Sequence, residues 1–384
     1  MSTPTVALVA DDLTGAADAV APFAARWQVE LRLAAGLAGS GGERPTVYAE
    51  TTDSRARTPE DAASLTHTAV TTLREQGADH LFVKIDSTMR GSIPGQISGA
   101  LEAWGPDSFA VLCPAYPQHG RTVTDNTVFV DGVPLVGTGA AVDPVTPVSS
   151  SVLADLVPGS VHLPAPRSVT ALAADLTAAA ANGATVISVD AAHEQHLSLI
   201  AGAIQQVGER AVAVGSSGLA AALSRTWLGD TPAPVPVIEP VNNDVLVVVS
   251  SLHPVARAQS TALLASGFLP ANVVSTPAER AESARSVAQS VARNVQERLT
   301  TGVYGAIVFV GGDGALATLR QLGATALHIH GELFDGVPRG TIIGGIADGL
   351  AVVTKSGGFG GDGALVEIVS SLQPQNHTQK RTTA

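Results

Sequence analysis

The feature that most limits the fold is an alternation along the chain. Short apolar runs of strand length recur between amphipathic stretches of helix length. The runs Thr5–Ala10, Thr46–Glu50, His80–Ile85, Phe109–Cys113, Thr185–Val189 and Ala211–Gly215 read as buried strands, and Pro59–Gln76, Pro94–Trp104 and Ser168–Ala181 read as helices between them. Strands apolar on both faces and separated by helices of roughly 10–20 residues are βαβ units, which build a mainly parallel sheet. The pattern breaks near Thr231-Pro-Ala-Pro-Val-Pro-Val-Ile-Glu-Pro240, where closely spaced prolines cannot continue a helix and read as a semi-rigid linker. A second series follows: a strand at Val245–Ser250, a helix from about Pro254, a helix at Ala278–Leu299, a strand at Ala306–Val310, a helix from Asp313 and a strand at Ala351–Thr354. The expected architecture is therefore α/β, with two domains at 1–229 and 244–372, each a mainly parallel sheet flanked by helices. A linker at 230–243 joins them, a tail occupies 373–384, and the cleft between the domains is the expected active site.

Composition agrees with large cores and narrows the ligand classes. Of 384 residues, 45% are hydrophobic and 15% charged, which argues against disorder. The net charge of −12 carries no basic footprint for nucleic acid or an anionic membrane, so an anionic ligand must be held by local Lys and Arg. The single cysteine, Cys113, excludes an internal disulfide and a paired-cysteine zinc site, and reads as a strand-end packing residue. The first ten residues have no basic segment, and no apolar run reaches about 18 residues, so a cytoplasmic location is expected.

Five segments carry chemistry. In Ala306-Ile-Val-Phe-Val-Gly-Gly-Asp-Gly-Ala-Leu-Ala317 a hydrophobic strand runs into Gly311, Gly312, Asp313 and Gly314, and a helix pattern starts at once. Such a turn lets backbone approach a ligand and points N–H groups at an anion. By itself such a string is more often just a tight strand–helix turn. Val353-Thr-Lys-Ser-Gly-Gly-Phe-Gly-Gly361 repeats the device, with Lys355 and Ser356 ahead of Gly357 and Gly358. In the first half, Val9-Ala-Asp-Asp-Leu-Thr-Gly15 sets Asp11 and Asp12 at a strand end. One of them is expected to cap the next helix, and the other to face the ligand edge of the sheet, where it would accept a hydroxyl proton. Val83-Lys-Ile-Asp-Ser-Thr-Met-Arg-Gly91 brings Lys84, Asp86, Ser87 and Arg90 to another strand end. A carboxylate ligand or Asp86 would partner the buried Lys84. Cys113-Pro-Ala-Tyr-Pro-Gln-His-Gly-Arg121 ends in a guanidinium suited to a carboxylate or phosphate. His119 and His253 lie near these segments and read as hydrogen-bonding or cleft residues rather than bases.

Together these segments resemble the four-carbon acid sugar kinases. The resemblance runs through Ala10-Asp-Asp-Leu-Thr-Gly-Ala-Ala-Asp, Lys84-Ile-Asp-Ser-Thr-Met-Arg-Gly, Cys113-Pro-Ala-Tyr-Pro, Gly120-Arg-Thr-Val and Asp143-Pro-Val-Thr-Pro. It continues through Gly215-Ser-Ser-Gly-Leu-Ala, Ser250-Ser-Leu-His-Pro, Gly311-Gly-Asp-Gly, Gly336-Val-Pro and Lys355-Ser-Gly-Gly-Phe-Gly, in order and over nearly the whole chain. It implies an acid-sugar-binding N-terminal domain, a nucleotide-binding C-terminal domain, and phosphorylation of a four-carbon sugar acid by ATP with Mg²⁺. It also carries ATP contacts onto Ser251, Gly311, Gly312, Asp313, Gly314, Gly357 and Gly358. Asp12, Asp11, Lys84 and Arg90 become the catalytic candidates, and Asp86, Ser87 and Arg121 the substrate-binding ones; no metal ligand is assigned. The expected partners are the sugar acid, ATP and, as a homodimer, a second copy of the chain.

Two positions depart from the family's pattern. A Thr or Ser usually stands where this chain has Gly314, and Gly-Ser where it has Ser250-Ser251, so the turn at Ser250 is expected to be crowded. Two other readings are weighed. NAD kinases and diacylglycerol kinases carry a Gly-Gly-Asp-Gly string, but after an early strand of the nucleotide domain rather than after residue 300. A non-catalytic sugar-acid sensor would keep the fold without the transfer.

Overall fold

The computed structural model describes residues 5–34, 46–228, 241, 243–277 and 284–373. The chain divides into two compact units, one of residues 1–235 with 325–331, the other of 236–324 with 332–384. Most of the expected linker and nearly all of the expected tail fall outside the described residues, as do residues 278–283 of the expected helix Ala278–Leu299.

The first unit contains β1 (Val6–Ala10), β2 (Gln28–Arg32), β3 (Thr46–Thr51), β4 (His80–Lys84), β5 (Phe109–Cys113), β6 (Arg121–Thr124), β7 (Thr127–Val130), β8 (Val133–Pro134), β9 (Val161–Leu163), β10 (Val186–Val189) and β11 (Ala211–Gly215). Its helices are α1 (Leu13–Val20), α2 (Pro59–Glu75), α3 (Ile93–Trp104), the short α4 (Leu153–Leu156), α5 (Val169–Ala181), α6 (Glu194–Val207) and α7 (Ser217–Leu228). The strands run parallel in the order β2-β3-β1-β4-β11-β5-β10-β9. Every residue of β1, β5 and β11 is buried, as their unbroken apolar sequences require. Helix starts are fixed locally. Thr58 caps α2, with Pro59 at its first position and Glu60 and Asp61 in the first turn, and Ser168 caps α5 by accepting from Ala171 N.

The second unit holds β12 (Asp244–Val249), β13 (Val273–Ser275), β14 (Tyr304–Val310), β16 (Val337–Ile343) and β17 (Ala351–Lys355), with α8 (Pro254–Ala265), α9 (Ala284–Thr301), α10 (Gly312–Gln321) and α11 (Ala364–Leu372). The order is β13-β12-β14-β17-β16, parallel except for β16 against β17. Val245, Val247, Val249, Val308, Val310 and Val353 pack with Ala256, Leu263, Leu365, Ile368 and Leu372 in one core. β15 (Ala326–Phe334) precedes β16, and its opening residues belong to the first unit, pairing antiparallel with β2 from Ala326↔Arg32 to Ile329↔Val29.

β2 escapes sequence reading because polar residues interrupt it. Its Arg32 is fully buried, donates to Glu30 (2.9 Å) and to Glu50 on β3 (3.3 Å), and lies over the Tyr48 ring. A guanidinium shared between two buried carboxylates lets a charged strand sit inside a sheet. Removing it strands both acids. Arg32→Met should therefore lower the unfolding free energy by about 3–5 kcal/mol in urea titration. A loss below about 1 kcal/mol would show that the acids find other partners or take up protons.

Candidate active site

In the first unit, parallel register delivers the site. Ala10 on β1 is aligned with Thr51 on β3 and with Lys84 on β4, so the residues that follow all three strands emerge together. They are Asp11 and Asp12, the stretch to Arg55, and the turn bearing Asp86. Arg55, which sequence reading did not single out, ties them together. Its Nε and Nη2 donate to the two oxygens of Asp11 (2.7 and 2.8 Å), and Nη2 also donates to Asp12 Oδ1 (2.7 Å). The capping question raised by the sequence resolves on Asp12. It accepts from Gly15 N (3.0 Å) and Thr14 Oγ1 (2.6 Å) as the N-cap of α1.

The two carboxyls are pushed apart in character. Burial raises Asp11 above the ordinary carboxylate range, against the pull of Arg55. Burial acts on Asp12 in the same sense, but Arg55, Lys84 and the Thr14 hydroxyl outweigh it and hold Asp12 low. Asp12 also keeps some side-chain exposure where Asp11 has none. Lys84 is buried, donates to Ile85 O (2.9 Å), and sits close enough to Gly15 that a Cβ there would fall 3.0 Å from its Nζ and 2.4 Å from Asp12 Oδ1. Asp86 is not its partner. Arg90 takes Asp86 instead, through Nε (2.7 Å) and Nη2 (3.1 Å), and bridges to Asp143 (3.2 Å). Burial opposes ionisation of Asp86, yet Arg90 and Arg55 keep it well below the usual range. Ser87 lies half-buried on the same turn. Arg121 is placed differently: it opens β6, and its Nη1 donates to the carbonyl of His119. A cavity of about 300 Å³ beside Arg55 is lined by Met89, Gly91, Ser92, Thr146 and Leu156 among others.

The second unit repeats the arrangement with glycine in place of acid. Val249, Val310 and Lys355 are aligned across β12, β14 and β17, so Ser250-Ser251, Gly311 and Ser356-Gly357 leave the sheet together. Gly311 has φ +109°, precedes α10 with no side-chain cap, and donates its N–H to Lys355 O (3.1 Å). The two glycine turns converge on Ser251. A Cβ at Gly311 would meet Ser251 N at 2.9 Å, and one at Gly357 would meet Ser251 Oγ at 2.0 Å. Backbone is thus laid bare around one serine, as close approach to a phosphate requires. Gly312 and Asp313 form the first turn of α10 with Asp313 exposed, and Gly358 lies against the His253 ring. Gln259, also unread from sequence, fastens the second turn from below by donating to the carbonyls of Phe359, Gly360 and Gly361.

The comparisons with known proteins agree with this division. A family described as "Sugar-binding N-terminal domain" matches residues 6–223, and one described as "Nucleotide-binding C-terminal domain" matches 270–365. A D-threonate kinase of Bordetella bronchiseptica is 37% identical, covering 99% of this chain and 100% of that protein. The chain belongs to the four-carbon acid sugar kinase family. A D-threonate kinase of Salmonella typhimurium is 31% identical over 95% of this chain and 98% of its own, and a D-erythronate kinase of Heliobacterium modesticaldum 27% over 96% and 97%. Of solved structures, a Bordetella bronchiseptica protein of this type, a domain-swapped dimer with bound citrate, is 34% identical with a TM-score of 0.55, covering 97% of this chain and 98% of that one. A Salmonella typhimurium structure reaches a TM-score of 0.75 at 21% identity, over 97% and 100% of the chains, which bears on the fold. The NAD-kinase and diacylglycerol-kinase readings lose their ground, because the match to sugar acid kinases extends over both units.

The crowding expected at Ser250 does not occur, and the two departures from the family pattern explain each other. A Cβ on Gly314 would lie 2.2 Å from Ser250 Cβ and 2.4 Å from its Oγ, so only one of the positions can carry a side chain. Here Ser250 does, and its hydroxyl lies within reach of the Val310 and Gly311 carbonyls (3.1 and 3.3 Å). Gly314→Ser alone should cost about 1–3 kcal/mol of stability by overpacking and weaken ATP binding, while Ser250→Gly/Gly314→Ser should recover most of both. Purely additive losses in thermal melts and ATP titrations would refute the coupling.

Proposed function

We propose that this protein is an ATP-dependent kinase that phosphorylates a hydroxyl of a four-carbon sugar acid, of the threonate, erythronate or 3-oxo-tetronate type, in carbohydrate catabolism. The observation that carries the reading is the pairing, within one chain, of a carboxylate–guanidinium cluster beside a small cavity with a glycine cradle open to phosphate. The D-threonate kinases that match nearly end to end make D-threonate the first substrate to test.

In the proposed mechanism the substrate hydroxyl oxygen attacks the γ-phosphorus of ATP in line. The bond from that phosphorus to the bridging oxygen breaks, ADP leaves, and the hydroxyl proton passes to Asp12 or to solvent. Asp12 is the candidate acceptor because it is ionised and partly exposed, whereas Asp11 is enclosed by Arg55 and orients it. Lys84 offers positive charge beside Asp12. The fork of Arg90 is already engaged by Asp86 and Asp143, so we assign it to shaping the turn at Ser87 and, through that turn, the sugar-acid cavity. Arg121 remains a candidate for the substrate carboxylate.

The glycine turns would hold the phosphates through N–H groups. Mg²⁺ prefers oxygen ligands, keeps much of its water and is commonly held by one or two carboxylates together with substrate phosphates. Among the described residues no group of three or more His, Cys, Asp or Glu is arranged to hold an ion, so the fit is to a metal that arrives on ATP, with Asp313 the carboxylate nearest to hand on the turn. Bound there, it would neutralise phosphate charge. Among the described residues no helix is long and apolar enough to cross a membrane. We place the enzyme in the cytoplasm, with its ATP, and propose a homodimer on the example of the Bordetella structure.

A coupled assay of ATP consumption against a panel of four-carbon sugar acids tests the function. One acid should support turnover, and Asp12→Asn should lower kcat by about 100-fold or more with ATP affinity unchanged. No acid-dependent turnover, with ATP and acid both bound, would favour the sensor reading. Near-normal turnover of Asp12→Asn would remove it from the proton-accepting role.

A further inference from the structure

Lys355 is the last residue of β17, and among the described residues no acid forms an ion pair with it. The residue is 1% exposed, and among the described residues its ammonium donates to one acceptor, the carbonyl of Ser356 (2.8 Å). An ammonium has three donors, and burying one without an acid is costly. The neighbouring elements do carry charged or titratable groups: His253 and Arg257 on the α8 side, Asp313 on α10, Arg339 on β16, Asp362 and Glu367 by α11. None of these forms an ion pair with Lys355. The carbonyls of the loop overhead, Phe359 to Gly361, are taken by Gln259. A Cβ on Gly360 would lie 3.8 Å from Lys355 Cε, so the loop closes directly onto the side-chain stem.

The position of this charge is informative. The Lys355 carbonyl accepts from Gly311 N, and the next residues, Ser356 and Gly357, form the turn against Ser251. The strand end of Lys355 thus borders both glycine turns, and its ammonium, on Ser356 O with its stem under Gly360, stands at the second of them. We propose that Lys355 is the cation of the nucleotide site, held without a protein counterion so that a phosphate group of bound ATP completes the pair. The inference rests on the nucleotide reading of these turns and adds to it a charged residue that pairs with phosphate. Burial by itself pulls the Lys355 ammonium down to about 8. A phosphate partner reverses that pull, so binding takes up a proton wherever the free side chain is neutral, and ATP affinity declines as pH rises through that value.

Calorimetric titration of the full chain with ATP at pH 8.5, in two buffers of different ionisation enthalpy, reads this directly. Wild type should take up more than about half a proton per ATP at pH 8.5 and about a tenth at pH 7. Lys355→Met should bind ATP roughly 10- to 100-fold more weakly, without that uptake, while binding sugar acid as before. Its melting temperature should equal or exceed that of wild type, since a buried charge has been removed. Equal ATP affinity in the variant, or equal proton uptake, would overturn the inference and leave the kinase reading standing. A variant that melts early or fails to fold would also overturn it, by showing that Lys355 is a tether for the Ser356 loop. Failure of wild type to bind ATP at all would instead remove the nucleotide reading, and the inference with it.

Discussion

Arg55 is the contact on which the first unit's site depends. Asp11 and Asp12 are neighbours in sequence, and adjacent carboxylates forced out of water at one strand end repel each other and lose hydration. A single guanidinium, carried there because β3 lies beside β1 in register, satisfies both oxygens of Asp11 and one of Asp12. The division of labour follows. Asp11 becomes an enclosed anchor, and Asp12 becomes an ionised group that caps α1 and keeps an exposed edge.

Both units solve the same geometric problem in different chemistry. Three parallel strands end in register, and the residues just beyond them converge. In the first unit these are acids balanced by Arg55 and Arg90, suited to a hydroxyl-bearing substrate. In the second they are glycines around Ser251, suited to an anion that brings its own charge. Ser250 and Gly314 show how tight that second space is, since one side chain occupies the volume of two.

Much of this was legible in the sequence. The strands Phe109–Cys113 and Ala211–Gly215 were read with their observed bounds because unbroken apolar runs admit few alternatives. The acids and glycines were found because strand ends are where ligands bind. What stayed hidden depends on long-range pairing. β2 looked polar because the partners that let its Arg32 be buried include Glu50 on another strand, which sequence spacing does not bring near. Arg55 lay beyond an ordinary strand end, and its significance comes from Asp12 and Asp11, 43 and 44 positions away just past β1. Asp86 was one of two partners expected for Lys84, beside a carboxylate ligand, but Asp86 is taken by the guanidinium of Arg90, with Arg55 adding to the same field, a pairing set by the fold of the turn rather than by spacing.

The most direct test of this account is a double-mutant cycle on Arg55 and Asp11, read by urea unfolding. If the pair anchors the site, Arg55→Met should be strongly destabilising, by about 3–5 kcal/mol, because it leaves a buried charge unpaired. Arg55→Met combined with Asp11→Asn should then lose clearly less than the sum of the single variants. Additivity of the two within about 0.5 kcal/mol would contradict the claim that this ion pair holds the site together.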